Sequence, residues 1–506
     1  MRTPLVPRCA YALMVIVGTT LAMGCTPGPE YVRPSIKVPD HFKEAAAQVT
    51  EAQRAAPGWV PAHPADAANR SDWWTLFGDD TLDRLEARVD AGNQSIARSV
   101  ANLRAAKAQA REARAAYYPT ITAGIDANRN HTSQNVVGRS LAGKTVSDYD
   151  AGLDVSWEPD LFDRIGHQVD AAKARFQASE ADLASVRLAM HAELAIDYVD
   201  LRSADAEAAL LQQTVADYTK ARDLVQVRFT GGIASESDLA EAETQLQVAN
   251  AQWVDLGESR AHYEHAIATL IGVPPAELTI SPSTAAISLP FVPPGVPSTL
   301  LERRPDIAAA ERRVAAANAD VGEATSAFFP DLLLSASGGV EASGIAQWAA
   351  LPSRFWAIGP ALVGTLFDGG RRKQALHQAE ANEDGAAADY RQTVLSAFQD
   401  VEDNLSSVHV LADEAGTQLH AVDASGRAEQ LSLTRYKAGA TDYLEVVSTQ
   451  SVSLAQRRAY VELSRRQLES DIRLIKAIGG GWHVDDASHV SGTLALGGHG
   501  PAPSSP

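Results

Sequence analysis

Few residues in the chain have the types and spacing that enzymatic chemistry requires. The 13 histidines are scattered, and none stands in the His-Glu-x-x-His spacing that binds a catalytic zinc ion. Asp485, Asp486 and His489 could imitate a metal cluster, but they lie in a glycine-rich tail, where a surface role is the simpler interpretation. No serine occupies the Gly-x-Ser-x-Gly pattern of hydrolase nucleophiles. The sequence therefore predicts no enzyme, no metal site and no cofactor.

The one chemical modification that the sequence does predict is at Cys25. A basic start and an apolar run over 10–23 are typical of a secretory signal, and the run is too short to span a bilayer. Residues 21–24 (LAMG) and Cys25 resemble the lipobox of bacterial lipoproteins. This resemblance implies cleavage of residues 1–24 and a palmitate-type lipid anchor on Cys25, and two or more acyl chains hold a protein stably at a membrane. Thr26, in place of aspartate, favours the outer membrane; a plain signal peptide is the alternative.

Composition excludes several classes of protein. The 506 residues carry 44 Lys and Arg against 63 Asp and Glu, a net charge of −19, which argues against a nucleic-acid partner. Two cysteines are too few for a disulfide framework or a cysteine zinc site. Aromatic residues make up 6% of a chain rich in alanine, glutamine and glutamate, and this composition favours long helices.

The sequence contains an internal two-fold repeat. Residues 93–119 align without gaps on residues 304–330, and shorter matches follow in the same order. The two halves are 75–275 and 297–480. Each half is predicted to run helix, two strands, then two long helices. The first helices are expected at about 79–116 and 300–327.

Four segments alternate between apolar and polar residues as strands do. We predict strands at about 120–129, 148–158, 331–341 and 354–366. Such segments are typical of a transmembrane β-barrel, although a half-buried soluble hairpin would give the same alternation. Four strands cannot close a barrel, and an open sheet edge is not tolerated in lipid. Several copies must then pool their strands, and three copies give twelve.

Two long helical hairpins follow the strand pairs. No proline interrupts the chain between Pro159 and Pro274 or between Pro360 and Pro501. Apolar residues seven apart, with many alanines between them, indicate closely packed helices of the coiled-coil kind. The hairpins are expected to turn at 228–238 and 435–448, where glycines stand.

The chain resembles the TolC/OprM-type outer-membrane channel family, in its lipoprotein branch. The resemblance rests on residues 28–34 (GPEYVRP), 73–79 (WWTLFGD) and 297–307 (PSTLLERRPDI), together with the lipobox and the repeat. It implies a mainly α fold with a small transmembrane β part. It also implies a homotrimer, with a 12-stranded outer-membrane barrel continuous with a long periplasmic α-helical barrel. The implied partners are a periplasmic membrane-fusion adaptor and an inner-membrane pump, of the RND type.

The same resemblance assigns a periplasmic aperture to the two helix turns. Its gate residues fall on Asp238, Tyr436 and Glu445; Arg435 and Asp442 could add to the closing network. A second ring acid of the family falls on Ser448, and a basic lock residue falls on Thr441, so this network departs from the family's. The implied adaptor contacts are the turn residues Gly231, Gly232, Ile233, Ala438, Gly439 and Ala440. Glu445 also has a simpler interpretation, as a solvated acid at a helix start.

The expected organisation has six parts. Residues 25–74 form a lipid-anchored segment and 276–296 a linker, both in the equatorial region, and 481–506 form a Gly- and Pro-rich tail. The other three parts are the signal (1–24) and the two repeats (75–275 and 297–480). The expected function is the outer-membrane channel of a tripartite system that exports drugs or small toxic compounds. The alternatives are a protein-secretion duct of the same family and a non-conducting coiled-coil envelope lipoprotein or adaptor.

Overall fold

The computed structural model describes residues 27–44, 72–135, 140–290, 303–348 and 350–480. Most of these residues are helical. The helices are α1 (Asp80–Gly92), α2 (Gln94–Ala115), α3 (Arg164–Thr230), α4 (Glu236–Leu270), α5 (Pro305–Ser326), α6 (Arg371–Lys437) and α7 (Tyr443–Ala477). α3 and α6 each have 67 residues, and α4 and α7 each have 35. The signal (1–24), Cys25 and the tail (481–506) lie outside the described residues.

Four strands form one antiparallel sheet. They are β1 (Thr120–His131), β2 (Thr145–Trp157), β3 (Asp331–Ala342) and β4 (Arg354–Val363), in the spatial order β1-β2-β3-β4. Both edge strands, β1 and β4, therefore have one side without a strand partner among the described residues.

The two faces of the sheet differ in polarity. Because side chains alternate along a strand and pair across it, residues in register share a face. Ile125 lies opposite Ala151, which lies opposite Val340. The same face exposes large apolar side chains, among them Ile121, Leu153, Trp356, Ile358 and Leu362.

The other face carries carboxylates and hydroxyls. Asp126 of β1 lies opposite Asp150 of β2, which in turn lies opposite Glu341 of β3. Three carboxylates thus stand in one row across three neighbouring strands. Asp154 is opposite Thr122 and Ser337, so a second row is polar as well.

The first helical segment is broken where the sequence indicated one continuous helix. α1 ends at Gly92, and Asn93 is extended, with φ −70° and ψ 122°. The side-chain oxygen of Asn93 accepts hydrogen bonds from the backbone N–H groups of Ser95 (2.9 Å) and Ile96 (3.1 Å). Asn93 therefore caps α2, because its amide replaces the helical partners that the first N–H groups lack.

The described chain falls into two compact units. The first holds the four strands with the adjoining parts of α2, α3, α5 and α6. In this unit the N-terminal segment is attached to α5 through Glu311, which accepts a hydrogen bond from Tyr31 and lies 3.6 Å from Nε of Arg33. Tyr31 and Arg33 belong to the GPEYVRP motif, so this part of the motif has a structural role.

The second unit holds α1, α4, α7 and the remaining parts of the long helices. Asp79 caps α1, and its second carboxylate oxygen accepts a hydrogen bond from the Tyr198 hydroxyl at 2.8 Å. Trp74 stacks on the ring of His191, with ring centres 4.6 Å apart. Arg304 pairs with Asp306 (2.6 Å) and Asp400 (3.0 Å). The WWTLFGD and RRPD motifs thus attach helix starts to α3 and α6. In the parts of the chain that are described, no helix combines the length and the apolarity needed to cross a membrane.

Candidate functional site

The ends of the two helical hairpins have the same backbone geometry. In the first turn, Ile233 N–H donates to Arg228 C=O (2.8 Å) and Gly232 N–H donates to Phe229 C=O (2.9 Å). In the second turn, Ala440 and Gly439 donate to Arg435 and Tyr436 at 2.9 Å each. This bond pair defines the Schellman ending of a helix, which needs a left-handed residue. Gly232 (φ +72°) and Gly439 (φ +73°) supply it without strain.

Two of the predicted gate acids begin the returning helices. Asp238 accepts a hydrogen bond from Ser235 N–H (3.1 Å), while the Ser235 hydroxyl accepts one from Asp238 N–H (3.1 Å). Asp442 caps α7 by accepting from Glu445 N–H at 3.2 Å. Both carboxylates stabilise helix starts, where N–H groups lack partners and the dipole favours negative charge. A gating role would therefore be added to a structural one.

Tyr436 lies in an apolar cluster beneath the turns. The cluster combines residues of all four hairpin helices: Val225, Ala242, Tyr436, Tyr443 and Val446. The Tyr436 side chain is 4% exposed and meets Tyr443 edge to face at 5.1 Å. Burial raises the pKa of the Tyr436 hydroxyl, and the charge of Asp238 raises it further.

The hydroxyl of Tyr436 is buried and has no hydrogen-bond partner among the described residues. Asp238 is therefore near enough for its charge to affect Tyr436, but the two side chains are not hydrogen-bonded. The predicted Asp238–Tyr436 gate contact stays a prediction. A buried unpaired hydroxyl costs about 1–3 kcal/mol.

Arg228 is a residue of this site that the sequence did not single out. Its guanidinium lies over the Tyr436 ring, 4.6 Å from the ring centre. Its Nη1 donates to the backbone carbonyls of Tyr436 (2.8 Å) and Lys437 (3.3 Å) at the end of α6. The RF and RY dipeptides of the two repeats are its only sequence signal, and they do not reveal its partner.

Glu445 is paired rather than free. Arg435 Nη1 lies 2.8 Å from Glu445 Oε1, and the Thr441 hydroxyl donates to the other carboxylate oxygen. Both charged side chains are partly exposed, so the pair is screened by solvent. Thr441 thus supports the acid from the position where the family's basic residue was expected. Ser448 is exposed.

The predicted adaptor-contact residues are all exposed. Gly231, Gly232 and Ile233 form the outer surface of the first turn, and residues 438–440 that of the second. Val227 and Ile233 are 70% and 71% exposed, so the first turn offers apolar surface to a partner.

One spacing in the chain matches the phosphate-binding loop of nucleotide-binding proteins. Gly138, Gly143, Lys144 and Thr145 match Gly-x-x-x-x-Gly-Lys-Thr. That motif requires a following helix, whose N-terminus binds the phosphate. Here Thr145 begins strand β2, so the spacing is incidental. The described residues also contain no group of three or more His, Cys, Asp or Glu suited to a metal ion.

Comparison with known proteins identifies the family. The sequence model of the family described as "Outer membrane efflux protein" matches residues 87–273 and 296–480. The chain belongs to the outer membrane efflux protein family. The resemblance predicted from the motifs is thereby confirmed, as is the expectation that the chain is not an enzyme, because its family is that of outer membrane efflux proteins and its relatives include outer-membrane proteins of efflux pumps.

Curated relatives and solved structures agree with this membership. The chain is 31% identical over 471 residues to outer membrane protein OprJ of Pseudomonas aeruginosa, covering 92% of this chain and 95% of OprJ. It is 30% identical to the toluene efflux pump outer membrane protein TtgF of Pseudomonas putida, covering 91% and 94%. The solved outer-membrane channel OprN has a TM-score of 0.82 at 30% identity, covering 90% and 100%. The outer-membrane location and the efflux role in general are therefore established.

Proposed function

We propose that the protein is the outer-membrane component of a tripartite efflux system and acts as a passive, trimeric duct. The observation that carries the proposal is the four-stranded sheet, which has one apolar face and, in the described parts of the chain, no strand paired to either edge. In lipid every backbone N–H and C=O must be paired, so β1 and β4 need partner strands from other copies. Three copies would close a twelve-stranded barrel, wide enough for a pore.

The hairpins would supply the periplasmic part of the duct. α3, α4, α6 and α7 of three copies would give twelve helices around a channel. The turns at their ends would form the aperture, with Asp238, Tyr436 and Glu445 as gate residues and Arg435 and Asp442 beside them. The exposed turn residues 231–233 and 438–440 would meet the adaptor, and an inner-membrane pump of the RND type would provide the energy.

The cargo is proposed to be drugs or other small toxic compounds. TtgF belongs to a toluene efflux pump, and OpmQ of Pseudomonas putida, 31% identical to this chain, exports pyoverdine. Toluene and pyoverdine are both small molecules, and this favours small-molecule efflux over the alternative of protein secretion. A lipid on Cys25 would anchor the chain in the outer membrane.

The alternative of a non-conducting envelope lipoprotein is disfavoured by the sheet. A rod-like bridging protein would not require a sheet face that exposes Trp356, Ile358 and Leu362. A patch of this kind needs lipid or another protein surface to cover it.

Conductance in planar lipid bilayers tests the proposal and its gate. The wild type should form channels as a trimer. Asp238→Asn keeps an acceptor for Ser235 but removes the charge, and Tyr436→Phe removes only the hydroxyl. In the proposed closed trimer the Tyr436 hydroxyl would donate to the Asp238 carboxylate, so each variant should increase the open fraction about fivefold, the effect of losing one hydrogen bond of about 1 kcal/mol.

Two substitutions away from the turns serve as matched controls. Asp255→Ala removes an exposed carboxylate from α4, and Tyr460→Phe removes a hydroxyl from α7. Both should conduct as the wild type does. A wild type that stays monomeric and never conducts would exclude the duct, whereas unchanged gating in both turn variants would exclude only the lock.

A further inference from the structure

The two repeats place an arginine at the same position of the two Schellman turns, but the side chains have different partners. Arg435 stays within its own hairpin, where it pairs with Glu445 at 2.8 Å. Arg228 reaches across to the other hairpin, to the ring and carbonyl of Tyr436 and the carbonyl of Lys437. The next residue differs accordingly: Phe229 is 37% exposed, while Tyr436 is 4% exposed.

We propose that Arg228 is a positioning residue of the gate, which clamps the first helix turn onto the second within one chain and holds Tyr436 in its buried place. The inference rests on the proposed duct, because a gate requires a channel. The Arg228 contact joins the two hairpins, whereas the Arg435–Glu445 pair lies within one hairpin. Through the Arg228 contact the two turns of a chain move together.

The chemistry of Arg228 suits this role in two ways. The last carbonyls of a helix have no partners within it and lie at the negative end of its dipole. A guanidinium can donate to two of them while its plane stacks on an aromatic ring. A lysine could supply the charge but not both contacts.

Few other polar contacts join the two hairpins near the turns. Gln245 of α4 donates to the Ser451 hydroxyl of α7 at 3.0 Å, about two helical turns from the helix starts. Between this pair and the turns the contact is apolar, through Val225, Ala242 and Val446. Apolar contacts hold the helices together but do not fix a turn in one orientation, whereas a hydrogen-bonded guanidinium does.

Trypsin cleavage after Lys437 measures the clamp directly. Full-length protein in detergent would be digested briefly, and the cut between Lys437 and Ala438 quantified by mass spectrometry. Arg228→Gln should accelerate this cut about tenfold, because a frayed helix end is a better protease substrate than a clamped one. Arg228→Lys should restore part of the protection.

Arg222→Gln is the matched control. It removes the same charge from the same helix, but Arg222 pairs with Asp223 (3.0 Å) and Glu243 (3.5 Å), both in the first hairpin. It should leave the Lys437 cut and the bilayer conductance as in the wild type. Arg228→Gln should instead raise the open fraction about tenfold, the effect of about 1.4 kcal/mol.

The outcomes separate the clamp from the duct. A Lys437 cut unchanged in Arg228→Gln, or accelerated equally in Arg222→Gln, overturns the clamp. Faster cutting with unchanged gating overturns the positioning role. A wild type that forms no channel overturns the proposed function, while the cleavage rates still decide whether the two turns are clamped.

Discussion

Glu86 and His191 form a buried ion pair in the second unit. His191 Nδ1 lies 2.7 Å from Glu86 Oε2, and Nε2 lies 3.7 Å from Asp90. Burial raises the pKa of Glu86 to about 7 against the opposing effect of His191. Burial alone would lower the pKa of His191, but the neighbouring carboxylates of Asp90 and Glu86 raise it to about 9.

Stability should therefore fall as the pH rises. A pKa that is higher in the folded than in the unfolded chain means that the folded state binds the proton more tightly. The contribution of His191 is complete below its ordinary pKa of 6.5 and is lost as the pH passes about 9. That of Glu86 is lost as the pH passes about 7, so both act in the same direction.

A comparison of unfolding midpoints checks this. Between about pH 7 and about pH 10 the wild type should lose about 5 °C more than His191→Gln does. His265→Gln, which removes an exposed histidine from α4, should follow the wild type. Parallel pH profiles for all three proteins would contradict the assignment.

For single residues, the sequence predicts where a side chain lies in the fold better than it predicts which residue that side chain contacts. The resemblance to the channel family places Asp238, Tyr436 and Glu445 at the helix turns, and they do lie there. That Asp238 caps a helix follows from its local sequence, since Ser235 precedes it by three residues. The target of Arg228 could not be predicted, because it lies 208 residues away in the other hairpin.

Each helix turn depends on one glycine in the left-handed region. A Cβ at Gly439 would meet no atom within 4 Å, so a substitution there costs only backbone strain. Gly416, in the interior of α6, is also unobstructed, but its conformation is helical. A methyl group added at Gly439 thus tests backbone strain, whereas one added at Gly416 tests helix propensity.

Gly439→Ala should destabilise its turn by about 1 kcal/mol, since an L-residue is strained there. Gly416→Ala should stabilise α6 by up to about 1 kcal/mol through its helix propensity. Hydrogen exchange of the amides of residues 438–441 and of 413–420 reports each change locally. Faster exchange in both variants would contradict the assignment of Gly439 as a backbone requirement.

The elements themselves were largely predictable, and the exceptions have physical causes. Alternation located the strands because one face is apolar over its middle part, where Ile125, Ala151 and Val340 lie in register. The break at Asn93 was missed because the alanine-rich pattern continues across it, and a cap competes with the helix only through its side chain. The pairing of β2 with β3 joins segments from the two halves of the chain, which local patterns cannot show.

The proposed assembly makes the two faces of the sheet unequal. Ile358 lies on the apolar face, opposite Ala336, and is 76% exposed. Its neighbour Ala357 lies on the polar face, opposite Ser337. A charge on the lipid side of a barrel is destabilising, whereas one on the water side is tolerated.

Ile358→Lys should therefore reduce assembly, at a cost of about 2–4 kcal/mol if the residue lies near the bilayer centre. Ala357→Lys, one residue away, should assemble as the wild type does. The fraction of trimer in detergent, from size-exclusion chromatography with light scattering, measures both. Equal trimer fractions would show that the apolar face does not meet lipid.

The row formed by Asp126, Asp150 and Glu341 would concentrate negative charge on the wall of the proposed barrel. Like charges on directly paired strands repel, and three copies would repeat the row around one circumference. Dissolved cations must gather there to offset the repulsion, and their screening length shortens as salt is added. Dissolved salt would therefore stabilise the pairing of β1, β2 and β3 at this row of carboxylates. The pairing would be stronger at high ionic strength and weaker in dilute buffer.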